Sequence, residues 1–341
     1  MLVCENCFSD KELKAFIQSS GTKKECNICK STDSYTIDLI ELLDFFQGLL
    51  DNFKRTPNGT TLQSKILENW SFFSSHNSAE KVLNFVIPKI KSDIENADDL
   101  VDYTEDITAN YTYWNTLKDT LKWERRFIPD IEIIKEFGWD GFFNTQFELT
   151  PKIELYRARV HHQSGMNAYA PNEMLCPESV KANGGRANPL GIPFLYLCDN
   201  KDTVLYEVRA SYLDEISVGE FHLKNEVGSI KIVDFTEDTF LFQSENKISD
   251  TIKSKLLRDK ISRDLSKPMR RYDTEVEYIP TQFICEYIKV FTGASGIRFN
   301  SSLDPKGNNL VIFDQKIMEC TNVVLRKVIK VVLKAEEIKQ E

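Results

Sequence analysis

The feature that most constrains this chain is the spacing of its first four cysteines, which form two C-x-x-C pairs. The pairs are C-E-N-C and C-N-I-C, eighteen residues apart, and they comprise Cys4, Cys7, Cys26 and Cys29. Two residues between cysteines let both thiolates of a tight turn face one ion, and two such turns supply four tetrahedral ligands. Because four thiolates leave no open position, the spacing predicts a structural zinc knuckle over residues 1–33. The alternative is two disulfides, which a reducing compartment disfavours.

Length and composition indicate a folded, soluble protein of more than one domain. The chain has 341 residues, 41% hydrophobic and 28% charged, which is a globular composition and too long for a single core. No window approaches the roughly 18 apolar residues of a membrane span. The start, M-L-V-C-E-N-C-F, has no basic patch before an apolar run, so we expect a cytoplasmic protein without a membrane partner. The remaining cysteines are expected to be buried thiols: Cys176, Cys198, Cys285 and Cys320.

The charge of the chain is concentrated in its first part. The first 150 residues carry 16 Lys and Arg against 25 Asp and Glu, whereas residues 151–341 carry 27 of each. Because Lys and Arg drive the binding of polyanions, the acidic part argues against an extended nucleic-acid surface. The neutral remainder is compatible with a small anionic ligand.

Residues 34–150 are predicted to form a helical domain. In T-I-D-L-I-E-L-L-D-F-F-Q-G-L-L, apolar side chains recur every three or four residues, which is typical of a core-facing helix. Ser78 is a candidate N-cap. The simplest assembly is a four-helix bundle, and Thr150-Pro151 marks the joint to the next domain. Further helices are predicted at 61–76, 78–90 and 105–127.

After Pro151 the periodicity changes to short segments rich in β-branched and aromatic residues. Residues 151–341 are therefore predicted to form an α+β domain. The predicted strands are I-E-L-Y-R-A-R-V, I-P-F-L-Y-L, V-G-E-F-H-L and G-S-I-K-I-V-D-F, with others near 295–300, 309–314 and 321–333. The predicted helices lie near 202–211, 249–266 and 281–291.

Two segments of this domain present arginines suited to binding phosphate. Arg157 and Arg159 alternate in L-Y-R-A-R and would face one side of a strand, where guanidinium groups can bind phosphate oxygens in pairs. The loop G-G-R-A-N-P-L-G-I-P presents Arg186, and its glycines allow a close approach of the backbone to a ligand. Taken alone, the first pair is more often solvated and the loop is only a turn.

Two further segments carry a carboxylate and a hydroxyl. Tyr196 lies in L-Y-L and precedes Glu207 by eleven residues, in a run that predicts a short helix capped by Asp202 or Thr203. A strand ending in G-I-R-F-N-S contributes Ser301. A single Glu in an apolar run is more often a satisfied core carboxylate than a catalyst.

Taken in order, these four segments resemble the RES family, named for its Arg, Glu and Ser. The resemblance covers about residues 151–334, with supporting stretches M-L-C-P at 174–177 and Y-I-P-T-Q-F-I-C-E-Y at 278–287. It implies a fold like that of ADP-ribosyltransferases. It also implies consumption of NAD by hydrolysis, phosphorolysis or transfer of ADP-ribose, as in bacterial toxins.

The resemblance implies roles for individual residues. Arg157 and Arg186 are expected to hold the NAD pyrophosphate or a phosphate acceptor, and Tyr196 to contact the nicotinamide end. Glu207 is expected to stabilise the oxocarbenium character that develops on ribose when nicotinamide leaves, and Ser301 matches the family Ser. The predicted catalytic residues are thus Glu207, Arg157 and Ser301, with NAD as the substrate.

The arrangement ahead of residue 151 is similar to longer RES proteins with a HEPN-like helical N-terminal domain. HEPN ribonucleases use an Arg followed within a few residues by a His, whereas Arg125 and Arg126 here lead into F-I-P-D-I-E without a His. The helical region is therefore expected to sense, dimerise or restrain the toxin. A cognate inhibitor, or antitoxin, or an activating partner is expected as well.

Two other functions stay open from the sequence. In one, the zinc knuckle and helices bind RNA or protein, while the RES domain only senses a nucleotide. In the other, the chain is a HEPN-type nuclease. The acceptor in the reaction, the oligomeric state and any contribution of His161 or His162 to the site are also open.

Overall fold

The computed structural model describes residues 1–144, 146–243, 247–268, 274–332 and 337. The strands are β1 (Leu2–Cys4), β2 (Thr22–Lys23), β3 (Tyr35–Asp38), β4 (Phe53–Thr61), β5 (Leu100–Tyr103), β6 (Gln146–Leu149), β7 (Leu155–Val160), β8 (Leu195–Cys198), β9 (Glu215–Leu223), β10 (Ile230–Asp234), β11 (Gly296–Asn300), β12 (Asn308–Ile312) and β13 (Met318–Lys327). The α-helices are α1 (Lys11–Ser20), α2 (Leu43–Leu50), α3 (Leu62–Asn69), α4 (His76–Val86), α5 (Glu105–Asp119), α6 (Ile131–Glu136), α7 (Trp139–Phe142), α8 (Thr203–Glu207), α9 (Ile248–Ser266) and α10 (Ile279–Phe291).

The chain divides into two compact units. The first unit combines Met1–Asn115 with the later segment Glu237–Arg258, and the second combines Thr116–Thr236 with Asp259–Glu341. The domain boundaries predicted at residues 33 and 150 remain predictions.

The first unit begins with a small antiparallel sheet in the order β1-β3-β2. Helix α1 starts after Asp10, whose carboxylate accepts a hydrogen bond from the backbone N–H of Leu13 at 3.0 Å, a standard N-cap contact. The other oxygen of Asp10 accepts from the N–H groups of Leu241 and Phe242 at 2.9 and 3.1 Å. Burial raises the pKa of this carboxyl group, and the N–H donors oppose that effect. The Asp10 carboxylate therefore connects the start of α1 to the backbone of residues 241 and 242.

An aromatic cluster occupies the core of the first unit. Its ring centroids lie 4.8 to 6.2 Å apart in stacked and edge-on pairs, geometries that add to the stabilisation from burial. The cluster comprises Phe8, Phe45, Phe46, Phe72 and Phe73. Ile248 and Ile252 of the later segment are buried in the same core. Residues from both chain segments thus complete this core.

The helical middle of the chain is confirmed by α3, α4 and α5, but a bundle made only of helices is wrong. The stretch predicted as one helix from Ile37 to Leu50 begins as β3, because Ile37 pairs with Val3. Strands β4 and β5, which are separated in sequence by α3 and α4, form a two-stranded antiparallel sheet. The N-cap of α4 is Ser75, whose Oγ accepts from the N–H of Ser78 at 3.1 Å, so Ser78 is not the cap. The likeness to HEPN domains has no support.

The second unit contains an eight-stranded mixed sheet in the order β13-β9-β7-β8-β12-β11-β10-β6. Its neighbouring strands are antiparallel except β10 and β11, which are parallel. Parallel neighbours need a long crossover connection, and the segment between these two strands contains α9 and α10.

The predicted combination of strands and helices after Pro151 is confirmed. Each predicted strand and helix corresponds to an element of the structure, with ends shifted by a few residues. Residue 333 of the last predicted strand lies outside the described residues. Strand β6 was not predicted. Among the described residues, no helix is sufficiently long and apolar to cross a membrane.

Candidate functional site

The four cysteines predicted as metal ligands lie together in the first unit. Cys4 ends β1 and Cys7 ends the 3-10 turn that follows, while Cys26 and Cys29 sit on a turn closed by the Lys30 N–H to Cys26 carbonyl bond. Their Sγ atoms all lie within 4.8 Å of one another, with separations of 3.9, 3.4 and 3.6 Å for the pairs 4–7, 4–29 and 7–26. Sulfurs bound to one tetrahedral Zn²⁺ at about 2.3 Å would be roughly 3.8 Å apart. The donor set therefore fits a single ion.

The environment of the cysteine cluster makes the thiolates of Cys4 and Cys7 costly in the absence of a cation. Burial raises the pKa of Cys4 to about 12 and also raises the pKa of Cys7. Desolvation also acts to raise the pKa of Cys26. Hydrogen bonds from backbone N–H groups, including that of Ile28 at 3.4 Å, outweigh this effect and lower the pKa of Cys26 to about 7. Cys4, Cys7 and Cys26 are buried and Cys29 is exposed. A bound cation would stabilise all four thiolates.

The second unit contains a cavity of about 330 Å³. Three neighbouring strands, β7, β8 and β12, contribute to its walls, together with α8. Its lining residues include Arg157, Arg186, Tyr196, Glu207, Tyr278 and Asn309. Four of the five residues predicted from the sequence for this site therefore line one cavity.

The fifth predicted residue, Ser301, contacts the carboxylate of Glu207. The Ser301 hydroxyl donates to Glu207 Oε1 at 2.6 Å, and the Asn309 amide donates to the same oxygen at 2.9 Å. Ser301 and Asn309 are each 7% exposed. The carboxylate of Glu207 is therefore held through Oε1 by two donors, and the same side chain lines the cavity.

Short contacts hold the helix that carries Glu207. The Thr203 hydroxyl at the start of α8 donates to Asp304 Oδ2 at 2.6 Å. Gly307 packs so closely that an added Cβ would lie 2.0 Å from Thr203 Oγ1. Ser301 also accepts from the N–H of Asp304 at 3.2 Å. The turn after β11 therefore fixes both ends of this short helix.

The loop with Arg186 is built around the hydroxyl of Tyr196. That hydroxyl donates to Asn188 Oδ1 at 2.8 Å and accepts from the Ala187 N–H at 2.8 Å. Burial raises the pKa of Tyr196, so the phenol stays protonated at neutral pH. A Cβ at Gly185 would lie 2.7 Å from both the hydroxyl and the Asn188 oxygen. This position therefore requires glycine for close approach of the backbone.

Gly185→Ala is expected to lower the free energy of unfolding by about 1–3 kcal/mol, because the added methyl group would overlap two well-ordered polar atoms. Chemical denaturation of the purified protein measures this change. Gly141→Ala is the matched control, since its Cβ would meet nothing within 4 Å. Equal stability of the two variants would contradict the described packing of the loop.

The two arginines of β7 contact the same neighbouring segment, as their alternation predicts. Arg157 Nη1 donates to Cys176 Sγ at 3.6 Å, and Arg159 Nη2 donates to the carbonyl of Leu175. Desolvation and the charge of Arg157 lower the pKa of Arg159. Arg157 lines the cavity, whereas Arg159 is not among its lining residues.

Two polar residues that line the cavity, Asn309 and Tyr278, were not selected from the sequence. Asn309 lies opposite Cys198 in the sheet, whereas Tyr278 comes directly before α10, so only the folded chain brings the two residues to one cavity. Asn188 does not line the cavity, but its side chain accepts from the Tyr196 hydroxyl and so organises the G-G-R-A-N-P loop that carries Arg186. His161 is buried with its Nε2 2.7 Å from Ser217 Oγ and is not among the lining residues.

A mixed sheet with a cavity lined by a fixed carboxylate, an aromatic hydroxyl and two guanidinium groups defines an α+β domain suited to an anionic small molecule. The family model described as "RES domain" matches residues 154–331, just over half of the chain. The chain belongs to the RES domain family, which is generally linked to NAD-consuming toxins. No curated protein matches the chain.

Proposed function

We propose that this protein cleaves the bond between nicotinamide and ribose in NAD. Family membership supports NAD as the substrate. The observation that carries the proposal is a Glu207 carboxylate, bonded to Ser301 and Asn309, on the wall of a cavity that two arginines also line. The cavity volume of about 330 Å³ lies within the usual range for ligand pockets.

Glu207 has the central role in this proposal. As nicotinamide leaves, positive charge develops on the ribose, as it does in glycoside cleavage, and a fixed carboxylate nearby stabilises that charge. Ser301 and Asn309 position the carboxylate in advance, so it needs little reorganisation during the reaction. Nicotinamide leaves from a cationic ring, so no strong acid is required on the leaving-group side.

The arginines and Tyr196 have binding roles in the proposal. Arg157 and Arg186 hold the negatively charged pyrophosphate, because guanidinium groups remain charged when partly desolvated. Tyr196 contacts the nicotinamide end and also organises the loop that carries Arg186. The acceptor is water, phosphate or a protein, and the domain resembles ADP-ribosyltransferases in this chemistry.

The cysteine cluster holds one structural zinc ion in this proposal. Its four thiol donors fit tetrahedral Zn²⁺, and a closed site supplies folding energy and no open position for a reaction. The first unit regulates the enzyme or recruits a partner, and an inhibitor or antitoxin silences it in the cytoplasm. The protein acts as a toxin or defence effector.

Incubation of the purified protein with NAD tests the proposal. We expect free nicotinamide to appear, together with ADP-ribose, ADP-ribose 1″-phosphate or labelled protein, and this second product identifies the acceptor. NAD that stays intact under all three acceptor conditions would contradict the proposal. The chain would then be an interaction protein whose RES domain binds a nucleotide without cleaving it.

A further inference from the structure

A second, smaller cavity lies beside the first in the same unit. Its volume is about 100 Å³, and Arg186 and Tyr278 line both cavities. The ionisable side chains around it are four cations and two carboxylates, besides Tyr278: Lys118, Lys122, Arg186, Lys267, Asp264 and Glu277. Lys118 and Lys122 precede the part of the chain that the RES family model matches. This cavity therefore includes residues from outside the family domain.

Two of the four cations are neutralised by ion pairs. Lys118 Nζ lies 2.9 Å from Asp264 Oδ2, and Lys122 Nζ lies 2.8 Å from Glu277 Oε2. These side chains are partly buried, since Lys122 is only 14% exposed, so solvent screens them less than a surface pair. The two ion pairs therefore hold these side chains in place on the cavity wall and add no net charge to it.

The other two cations have no carboxylate partner among the described residues. Lys267 is exposed at the rim. Arg186 donates from Nη1 to the carbonyl of Leu265 at 2.5 Å, and its own carbonyl accepts from the Thr281 hydroxyl at 2.6 Å. These contacts fix Arg186 at the junction of the two cavities. Within the part of the chain that the structure describes, the smaller cavity therefore carries two positive charges that no carboxylate compensates.

We propose that the smaller cavity is an anion subsite for a phosphoryl group or pyrophosphate that carries about two negative charges. Two uncompensated cations match this charge, and a phosphate group at pH 7 carries about −1.5 to −2. The volume is about a third of that of the cavity lined by Glu207, which suits a phosphoryl group better than a nucleoside. The group belongs either to the dinucleotide or to free phosphate that acts as the acceptor. The choice between these two sources of the phosphoryl group rests on the proposed function, whereas the existence of the subsite does not.

Calorimetric titration of the purified full chain with inorganic phosphate and with ADP tests the subsite. We expect Lys267→Glu to weaken binding of at least one probe by about tenfold or more, because it reverses one of two uncompensated charges beside the anion. Lys267 is exposed, so the variant should fold normally. Lys152→Glu is the matched control, since Lys152 is an exposed lysine of the same unit that lines neither cavity. Equal binding by wild type and both variants, or no binding of either probe by wild type, would overturn the proposal.

Steady-state kinetics identify the source of the phosphoryl group. If it belongs to the dinucleotide, Lys267→Glu raises the KM for NAD and leaves turnover of nicotinamide riboside, which has no phosphate, unchanged. If it is the acceptor, the KM for inorganic phosphate rises and that for NAD stays constant. Probe binding that depends on Lys267 in a protein that releases no nicotinamide would support the subsite and refute the proposed function.

Discussion

Replacing Glu207 with Gln is expected to lower the rate of nicotinamide release from NAD by about a hundredfold or more. The amide has nearly the same shape as the carboxylate, so Ser301 and Asn309 can still contact its oxygen. The variant loses the negative charge that stabilises the developing oxocarbenium character. The effect should therefore fall on kcat, with little change in the KM for NAD or in the unfolding transition. Chromatographic measurement of free nicotinamide under single-turnover conditions is the most direct assay.

Three further variants make the Glu207 result interpretable. Glu226→Gln is the matched control, because Glu226 is an exposed carboxylate that does not line the cavity. Ser301→Ala and Asn309→Ala each remove one donor to Glu207 Oε1, so each should reduce kcat by less than Glu207→Gln does. If Glu207→Gln consumes NAD as fast as wild type and Glu226→Gln, the carboxylate has no catalytic role.

Replacing Cys26 with Ser is expected to reduce the bound zinc from about one ion per chain to almost none. Structural zinc in zinc-finger peptides contributes apparent binding free energies of about 10–16 kcal/mol, as large as the stability of a typical domain at about 5–15 kcal/mol. Loss of the ion should therefore unfold at least the small sheet of β1, β2 and β3, whose strands flank the ligands. Elemental analysis measures the metal, and hydrogen exchange of residues 1–38 measures the local stability.

Cys320→Ser is the control for the metal experiment, since Cys320 is a free cysteine outside the cluster. It should retain the metal and the slow exchange of residues 1–38. A preparation of wild type that contains no metal, yet shows the same exchange protection, would exclude a structural ion at this cluster. Restored protection of the metal-stripped wild type on addition of Zn²⁺ would assign the effect to the ion.

The parts of the fold that the sequence predicts are those with strong local signals. The strand and helix segments after Pro151 alternate or recur at the period of their own structure, and each corresponds to an observed element. The C-x-x-C pairs also predict a cluster of sulfurs, because two tight turns leave few other arrangements. The resemblance to the RES family was found from the order of five residues along the sequence and not from their positions in space. These residues are Arg157, Arg186, Tyr196, Glu207 and Ser301.

The parts that sequence reasoning missed depend on contacts between distant segments. Ile37 lies in a helical pattern, but pairing with Val3 makes it part of a strand. Strand β6 is paired with β10, a contact that no local pattern encodes. Asn309 acquires its place beside Glu207 only when β12 pairs with β8. Propensity is a weak prior in such cases, because tertiary pairing overrides it.

The segment Glu237–Arg258 lies inside the stretch that the family model matches, yet it belongs to the first compact unit. Leu241, Ile248 and Ile252 from this segment are buried in the core that contains Phe46. The residues of that core are therefore encoded in two separate stretches of the gene, with residues 116–236 of the second unit encoded between them. A single crossover that transfers the whole first unit must also transfer residues 116–236 of the second unit, so the two units are expected to be inherited together.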